Sequence, residues 1–442
     1  MSPRPAPRDA LGIARQLGPG LIITAIIVGS GELIVTPKLG AANGFNLLWF
    51  IVVGCLLKVF VQVELGRHAL EHGKTTLEAM NDVPGPRVVV SWLLWLWLVM
   101  YVALVFQVAG MVGGLADVFT LAGLALGQTW IAILIGLSCA VLLVVGRYRL
   151  VEWFSTLLVA LFVVCTLGAV AALQSTPYAI TPAQLSDGFR FRLPPSFSTA
   201  FAAFGIIGVG ASELIYYPYW CLEKGYGAAV GRNDATPEWR ERARGWLRVM
   251  QVDAWLSFGL YTTTTVAFYL LGAAVLHAKG LIVEDQRMIE TLSHMYRATF
   301  GGWSLWLFLV GAFAVLYSTV FGATASNARL FADALVLFRV VKDPTPEKRR
   351  RLVRMACVGL PIAFTGVFLV FGAPVSLVFV GAIAQGLMLP FLGLAALFFH
   401  FRKTDPALRP GLLWTVLLCL SAFAMAAVGA YQVVTQIQAL WS

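Results

Sequence analysis

Charge is scarce in this 442-residue sequence: Asp, Glu, Lys and Arg make up 12%, against 59% hydrophobic residues, at a mean hydropathy of +0.81. That balance excludes an ordinary soluble globule. Cysteine is sparse as well. Cys55, Cys139, Cys165, Cys221, Cys357 and Cys419 stand singly in apolar runs, which excludes both a CxxC metal site and a secreted disulfide framework. The five histidines are dispersed: His68 and His72 are expected in a cytoplasmic loop, His277 and His294 outside the membrane and His400 at the end of a span. No HExxH pattern or Ser/His/Asp set lies at membrane depth, so no enzyme is expected. No GxxxxGK[ST] phosphate cradle occurs, so ATP-driven transport is not expected either. The first 16 residues hold Arg4, Arg8, Arg15 and three prolines without an apolar core, and no removable signal peptide is expected there.

Long apolar runs are what the chain has in abundance. Runs of about 20 residues, enough for a helix to cross the hydrocarbon, fall at 17–43, 47–66, 88–114, 128–146, 150–173, 197–222, 247–276, 302–326, 352–371, 374–400 and 412–436. The expectation is an all-α integral membrane protein of about eleven transmembrane helices, one domain over 1–442. With the N-terminus cytoplasmic and the C-terminus external, cytoplasmic segments collect 25 of the 32 Lys and Arg and external ones six, with Lys58 inside a span. This is the positive-inside bias. It comes mostly from the 223–248 and 339–354 segments. The formal net charge of +10 therefore calls for no nucleic-acid partner; topology and contact with anionic lipid headgroups account for it.

Within the first span, "GSGELIVTP" at 29–37 returns as "GASELIYYP" at 210–218, sharing Gly, Glu, Leu, Ile and Pro. Five spans separate the copies, so they cross the membrane in opposite directions. The halves are then inverted repeats, approximately 17–173 and 197–400, with 412–436 as an additional span. Paired interruptions in inverted halves point to a midplane binding site, because unwound backbone offers helix termini and free carbonyls to a ligand. The candidate site residues are Gly29, Ser30, Gly31 and Glu32 in the first span and Gly210, Ala211, Ser212 and Glu213 in the sixth. The small residues alone also read as helix-packing positions. The carboxylates do not: one at mid-bilayer depth costs roughly 2.5–3.5 kcal/mol on insertion scales. Glu32 and Glu213 are therefore candidate metal ligands expected to share one cavity, with Lys58 as a possible counter-charge or structural ion-pair partner.

These motifs resemble the NRAMP (natural resistance-associated macrophage protein) family of divalent-metal transporters. "GPGLIITAIIVGSGE" is similar to the family's opening and first broken helix. "LLWFIVVGCLLKVFVQVELGRHALEHGKTTLEAM" resembles its second span, "RRLVRMACVGLP" its ninth and "AQGLMLPF" its tenth. The resemblance implies the LeuT-type fold, with two inverted five-helix repeats and broken first and sixth helices. It also implies Gln385 as a neutral oxygen ligand, although an interhelical hydrogen bond explains that residue equally well. Where the family pattern has Asp-Pro-Gly-Asn, this chain has Gly29-Ser30-Gly31-Glu32; where it has Met-Pro-His, this chain has Ala211-Ser212-Glu213. The third-span acidic positions read Leu104 and Gln107.

Carboxylates without a thioether suit hard ions such as magnesium, calcium and manganese. Two carboxylates facing one cavity would need a cation or a proton between them. The expected function is secondary transport of a magnesium- or manganese-like divalent cation. The alternative is a small organic solute, with Glu32 or Glu213 carrying a coupling proton. Ser318, Thr319 and Thr324 of the eighth span are secondary candidates, and the four threonines of "YTTTTVAF" read as bonding back to the preceding turn. The expected partners are the bilayer and the transported ion, with no cofactor; the location is a prokaryotic cytoplasmic membrane.

Overall fold

A computed structural model of the chain describes residues 3–145, 148–192, 197–342 and 345–441. Nine helices among these are long and apolar enough to cross a membrane: Pro19–Asn43, Leu48–His72, Trp92–Leu121, Gln128–Val145, Pro237–Leu276, Ser304–Leu337, Pro346–Phe371, Pro374–Arg402 and Leu412–Val434. They correspond to nine of the eleven sequence segments. Segment five is the helix Tyr148–Ala172, and segment six is two helices in tandem, Phe197–Phe204 and Ala211–Glu223. Ordinal numbers below follow the eleven segments. Among the described residues the architecture is all-α apart from one small antiparallel hairpin, Arg87–Val88 with Val90–Ser91.

Helix ends follow local chemistry. Thr236 and Thr345 each accept a hydrogen bond from the backbone three residues on, and Pro237 and Pro346 follow at the first helical position, where a missing N–H costs nothing. The seventh and ninth helices consequently begin inside the two Arg-rich segments. The seventh runs for 40 residues, about 60 Å at 1.5 Å per residue, about twice the thickness of a hydrocarbon core. The second helix is also longer than its apolar run. It continues to His72, which places His68 and His72 on its last turns, with His68 only 2% exposed, rather than in a loop.

Charge burial explains that extension. Glu64 is fully buried, with Arg67 Nε at 3.5 Å, His400 Nδ1 at 3.3 Å and Trp414 Nε1 at 3.2 Å. Arg67 also donates to the carbonyl of Leu408. A buried carboxylate is tolerated only when it is partnered this closely. The network ties the C-terminal ends of the second and tenth helices to the start of the eleventh. On the periphery, Val370, Leu412 and Phe423 are 77%, 80% and 74% exposed, a surface suited to lipid. The main hydrophobic core runs from the first helix to the eleventh.

Candidate ion site at the crossing of the first and sixth helices

The sixth helix is interrupted, as its sequence predicts. Its first half closes with turns onto Ala202 and Ala203, the chain leaves helical geometry through Gly210, and the second half restarts at Ala211. Gly208 has φ +62°, and a Cβ there would lie 2.7 Å from Cys55 Sγ, so the break requires glycine twice over. Ala211, Ser212 and Glu213 are not themselves unwound; they form the first turn of the restarted helix.

The first helix departs from expectation. It does not open into non-helical backbone: Val28–Val35 is π-helical, and the segment closes with Thr36 N–H donating to the carbonyl of Gly31, five residues back. The reason is backbone satisfaction. In an apolar slab an unwound stretch strands its N–H and C=O groups, whereas a π segment keeps them paired while absorbing the weak helix formers at 29–31 and the N–H that Pro37 lacks. Gly29 and Gly31 are the points of closest approach. A Cβ at Gly29 would meet Thr319 Oγ1 at 2.0 Å and one at Gly31 the carbonyl of Ile206 at 2.8 Å. The side chain of Ser30 falls outside the described residues.

The two carboxylates are brought to this crossing but held differently. Glu213, 8% exposed, lines a cavity of about 20 Å³ walled by Gly31, Leu104, Gln107, Met111, Ser212, Tyr216, Thr319 and Asn327, among others. Space of that size holds about one water-sized occupant. Glu32 is fully buried and does not line this cavity, which corrects the expectation of a shared one. Its Oε1 accepts from the Gly208 N–H at 3.0 Å and from Thr265 Oγ1 at 2.7 Å, while Oε2 has no hydrogen-bond partner. Lys58, also fully buried, donates to the carbonyls of Phe204 and, at 2.7 Å, of Ile207. Lys58 and Glu32 thus grip one peptide unit from its two ends, the ammonium at Ile207 C=O and the carboxylate at Gly208 N–H.

Gln385 has no oxygen lone pair to spare for an ion. Its Oε1 accepts from both Ser212 N–H and Ser212 Oγ at 2.9 Å, and its Nε2 donates to Gln107 Oε1 at 2.8 Å. Gly210 fits beneath this link, where a Cβ would meet Gln385 Oε1 at 2.6 Å and Glu213 Oε2 at 2.5 Å. Ser318 and Thr324 bond back within their own helix; Thr319 does so too, and also reaches the carbonyl of Ile26 at 3.1 Å. Sequence reasoning missed Tyr216, Asn327, Thr265 and Met111. Tyr216 donates to Asn327 Oδ1 at 2.8 Å inside the cavity wall. A signal existed only for Thr265, one of four consecutive threonines, whose hydroxyl serves Glu32 besides the preceding turn.

Residues 20–435 match the model of the family described as natural resistance-associated macrophage protein-like. The chain belongs to this Nramp family. It is 24% identical over 316 residues to the divalent metal cation transporter MntH of Klebsiella pneumoniae, covering 70% of each chain. Among solved structures it is similar to the manganese transporter of Eremococcus coleocola (TM-score 0.71, 16% identity, 100% of this chain and 91% of that one). It is also similar to Mhp1, a nucleobase-cation-symport-1 family transporter (TM-score 0.60, 14% identity, 98% and 96%). At these identities the structural likeness establishes the fold, that of LeuT-type transporters. This Nramp protein is thus an integral membrane transporter in architecture.

Proposed function

We propose that this Nramp protein is a secondary transporter of a hard divalent cation, magnesium- or manganese-like, which binds in the Glu213 cavity and crosses by alternating access between the first and sixth helices. The carrying observation is a carboxylate, nearly buried in the first turn of the restarted sixth helix, facing a space for one small occupant beside the polar side chains of Gln107, Tyr216 and Asn327. The helix N-terminus favours the charged carboxylate, and the charged carboxylate attracts a cation. The descriptions of the Klebsiella and Eremococcus relatives support the divalent class. An organic solute would need more room than about 20 Å³, so the cavity favours an ion. Glu32 contributes negative charge behind the site. The cytoplasmic excess of Lys and Arg supports a cytoplasmic N-terminus and an external C-terminus in a prokaryotic cytoplasmic membrane.

Proteoliposomes test this. Wild-type protein is expected to carry magnesium or manganese inward with little proton flux, because the third-span cavity residues Leu104 and Gln107 carry no carboxyl group. Ion-driven acidification reported by an internal pH dye would overturn the uncoupled transport, and uptake of organic solutes without divalent ions would overturn the ion itself.

Met111 brings a thioether to the cavity wall from the third helix. For a hard ion, Met111→Leu is expected to leave magnesium affinity within about threefold of wild type, while cadmium, which prefers sulfur, binds about tenfold more weakly or worse. Calorimetry with both ions on the purified variant checks the split; equal losses would assign the methionine to packing.

A further inference from the structure

The break in the sixth helix exposes carbonyls that normally invite an ion, and in this chain a side chain has already taken them. Phe204 O ends the first half of that helix, where the macrodipole concentrates negative potential, and Ile207 O lies in the break just beyond it. Lys58 Nζ is hydrogen-bonded to both, fully buried, with the Phe204 ring 4.4 Å from the ammonium. On the far side of the Ile207–Gly208 peptide lies Glu32, whose Oε2 is buried and has no hydrogen-bond partner. Two carbonyls beside an aromatic face, with a carboxylate as counter-charge one peptide away, form an electronegative pocket for a small monovalent cation.

We propose that this is a second cation site, separate from the Glu213 cavity, whose permanent occupant is the Lys58 ammonium, a tethered cation that replaces a free sodium-like ion. The charge argument is direct. A buried ammonium is costly unless its donors and a counter-charge are supplied; here the carbonyls take two of its protons and Glu32 balances its charge across one peptide. A tethered ion cannot dissociate, so the break stays braced at every stage, and no monovalent ion is needed to hold it. The proposal does not depend on which ion the Glu213 cavity takes.

Removing the ammonium should uncover the site. Lys58→Ala leaves room for an ion, and Lys58→Met keeps the stem's bulk while removing the charge. The full-length variants, purified in detergent with a divalent chelator, are compared in N-methylglucamine, lithium, sodium and potassium chlorides at equal ionic strength. Wild type is expected to melt at one temperature in all four. Lys58→Ala is expected to gain at least about 3 °C in one of the metal salts over N-methylglucamine, and Lys58→Ala/Glu32→Gln to lose that gain. Folded Lys58→Ala and Lys58→Met with no ion-specific shift would overturn the proposal. So would a wild-type protein that is itself stabilised by one monovalent ion and loses that response in Glu32→Gln, a test that needs no Lys58 variant to fold.

Discussion

Replacing Glu213 with Gln is expected to abolish divalent-ion uptake and to weaken binding by at least about 100-fold, equivalent to about 2.8 kcal/mol. The substitution keeps the shape and removes the charge from the only acidic side chain on the cavity wall among the described residues. Amide oxygen is a weaker ligand for a hard cation than carboxylate, and the polar neighbours are already engaged: Tyr216 donates to Asn327, and Gln107 accepts from Gln385. Glu32→Gln makes the comparison informative. An amide oxygen at that position still accepts from Gly208 N–H and Thr265, so both hydrogen bonds to the break are kept while the counter-charge of Lys58 is lost. Binding should weaken by no more than about tenfold, the effect of one charge removed from behind the site. Calorimetry and proteoliposome uptake on the two variants check the ordering. Equal abolition would place Glu32 at the ion after all, and unimpaired uptake by both would remove the carboxylates from transport.

Gly205→Ala is expected to be the most damaging single methyl group that can be added to the protein's core near the site. A Cβ there would lie 2.2 Å from the carbonyl oxygen of Ala382 and 2.6 Å from the amide nitrogen of Gly386, both backbone atoms of the tenth helix. Backbone within a packed helix cannot rotate aside as a side chain can. The two helices must separate, at a cost at or above the roughly 1–3 kcal/mol of ordinary overpacking. Separation also pulls Gln385 from Ser212, the bonds that link the restarted sixth helix to the tenth. A melting temperature well below wild type, with uptake lost even in protein that remains monodisperse, is the expected result. Gly359→Ala is the matched control: nothing lies within 4 Å of its Cβ position on the ninth helix. Alanine there should be neutral or stabilising by about 0.5–1 kcal/mol. If Gly205→Ala melted with the control, the close crossing of the sixth and tenth helices would be wrong.

Much of this architecture was readable from local patterning, because a bilayer makes strong demands on local sequence. The span positions followed from run length, and the family from motifs spread along the chain. The same local reading located Glu213 and the break before it, since glycine and a carboxylate together are costly in a helix at membrane depth. Reading stopped where polarity, rather than length, decided. The second helix continues past its apolar run because Arg67 one turn on, and His400 and Trp414 from other helices, meet the buried Glu64, and no apolar run reports that. The first helix becomes a π segment rather than an open break because its neighbours approach Gly29 and Gly31 too closely for an unpaired backbone to find water. Above all, sequence made Glu32 and Glu213 equivalent, and tertiary structure separated them. Helix rotation and the peptide between Ile207 and Gly208 turn one carboxylate toward Thr265 and the Lys58-braced break, and the other toward the cavity. Residues matched in a sequence echo meet different neighbours, and the neighbours assign the roles.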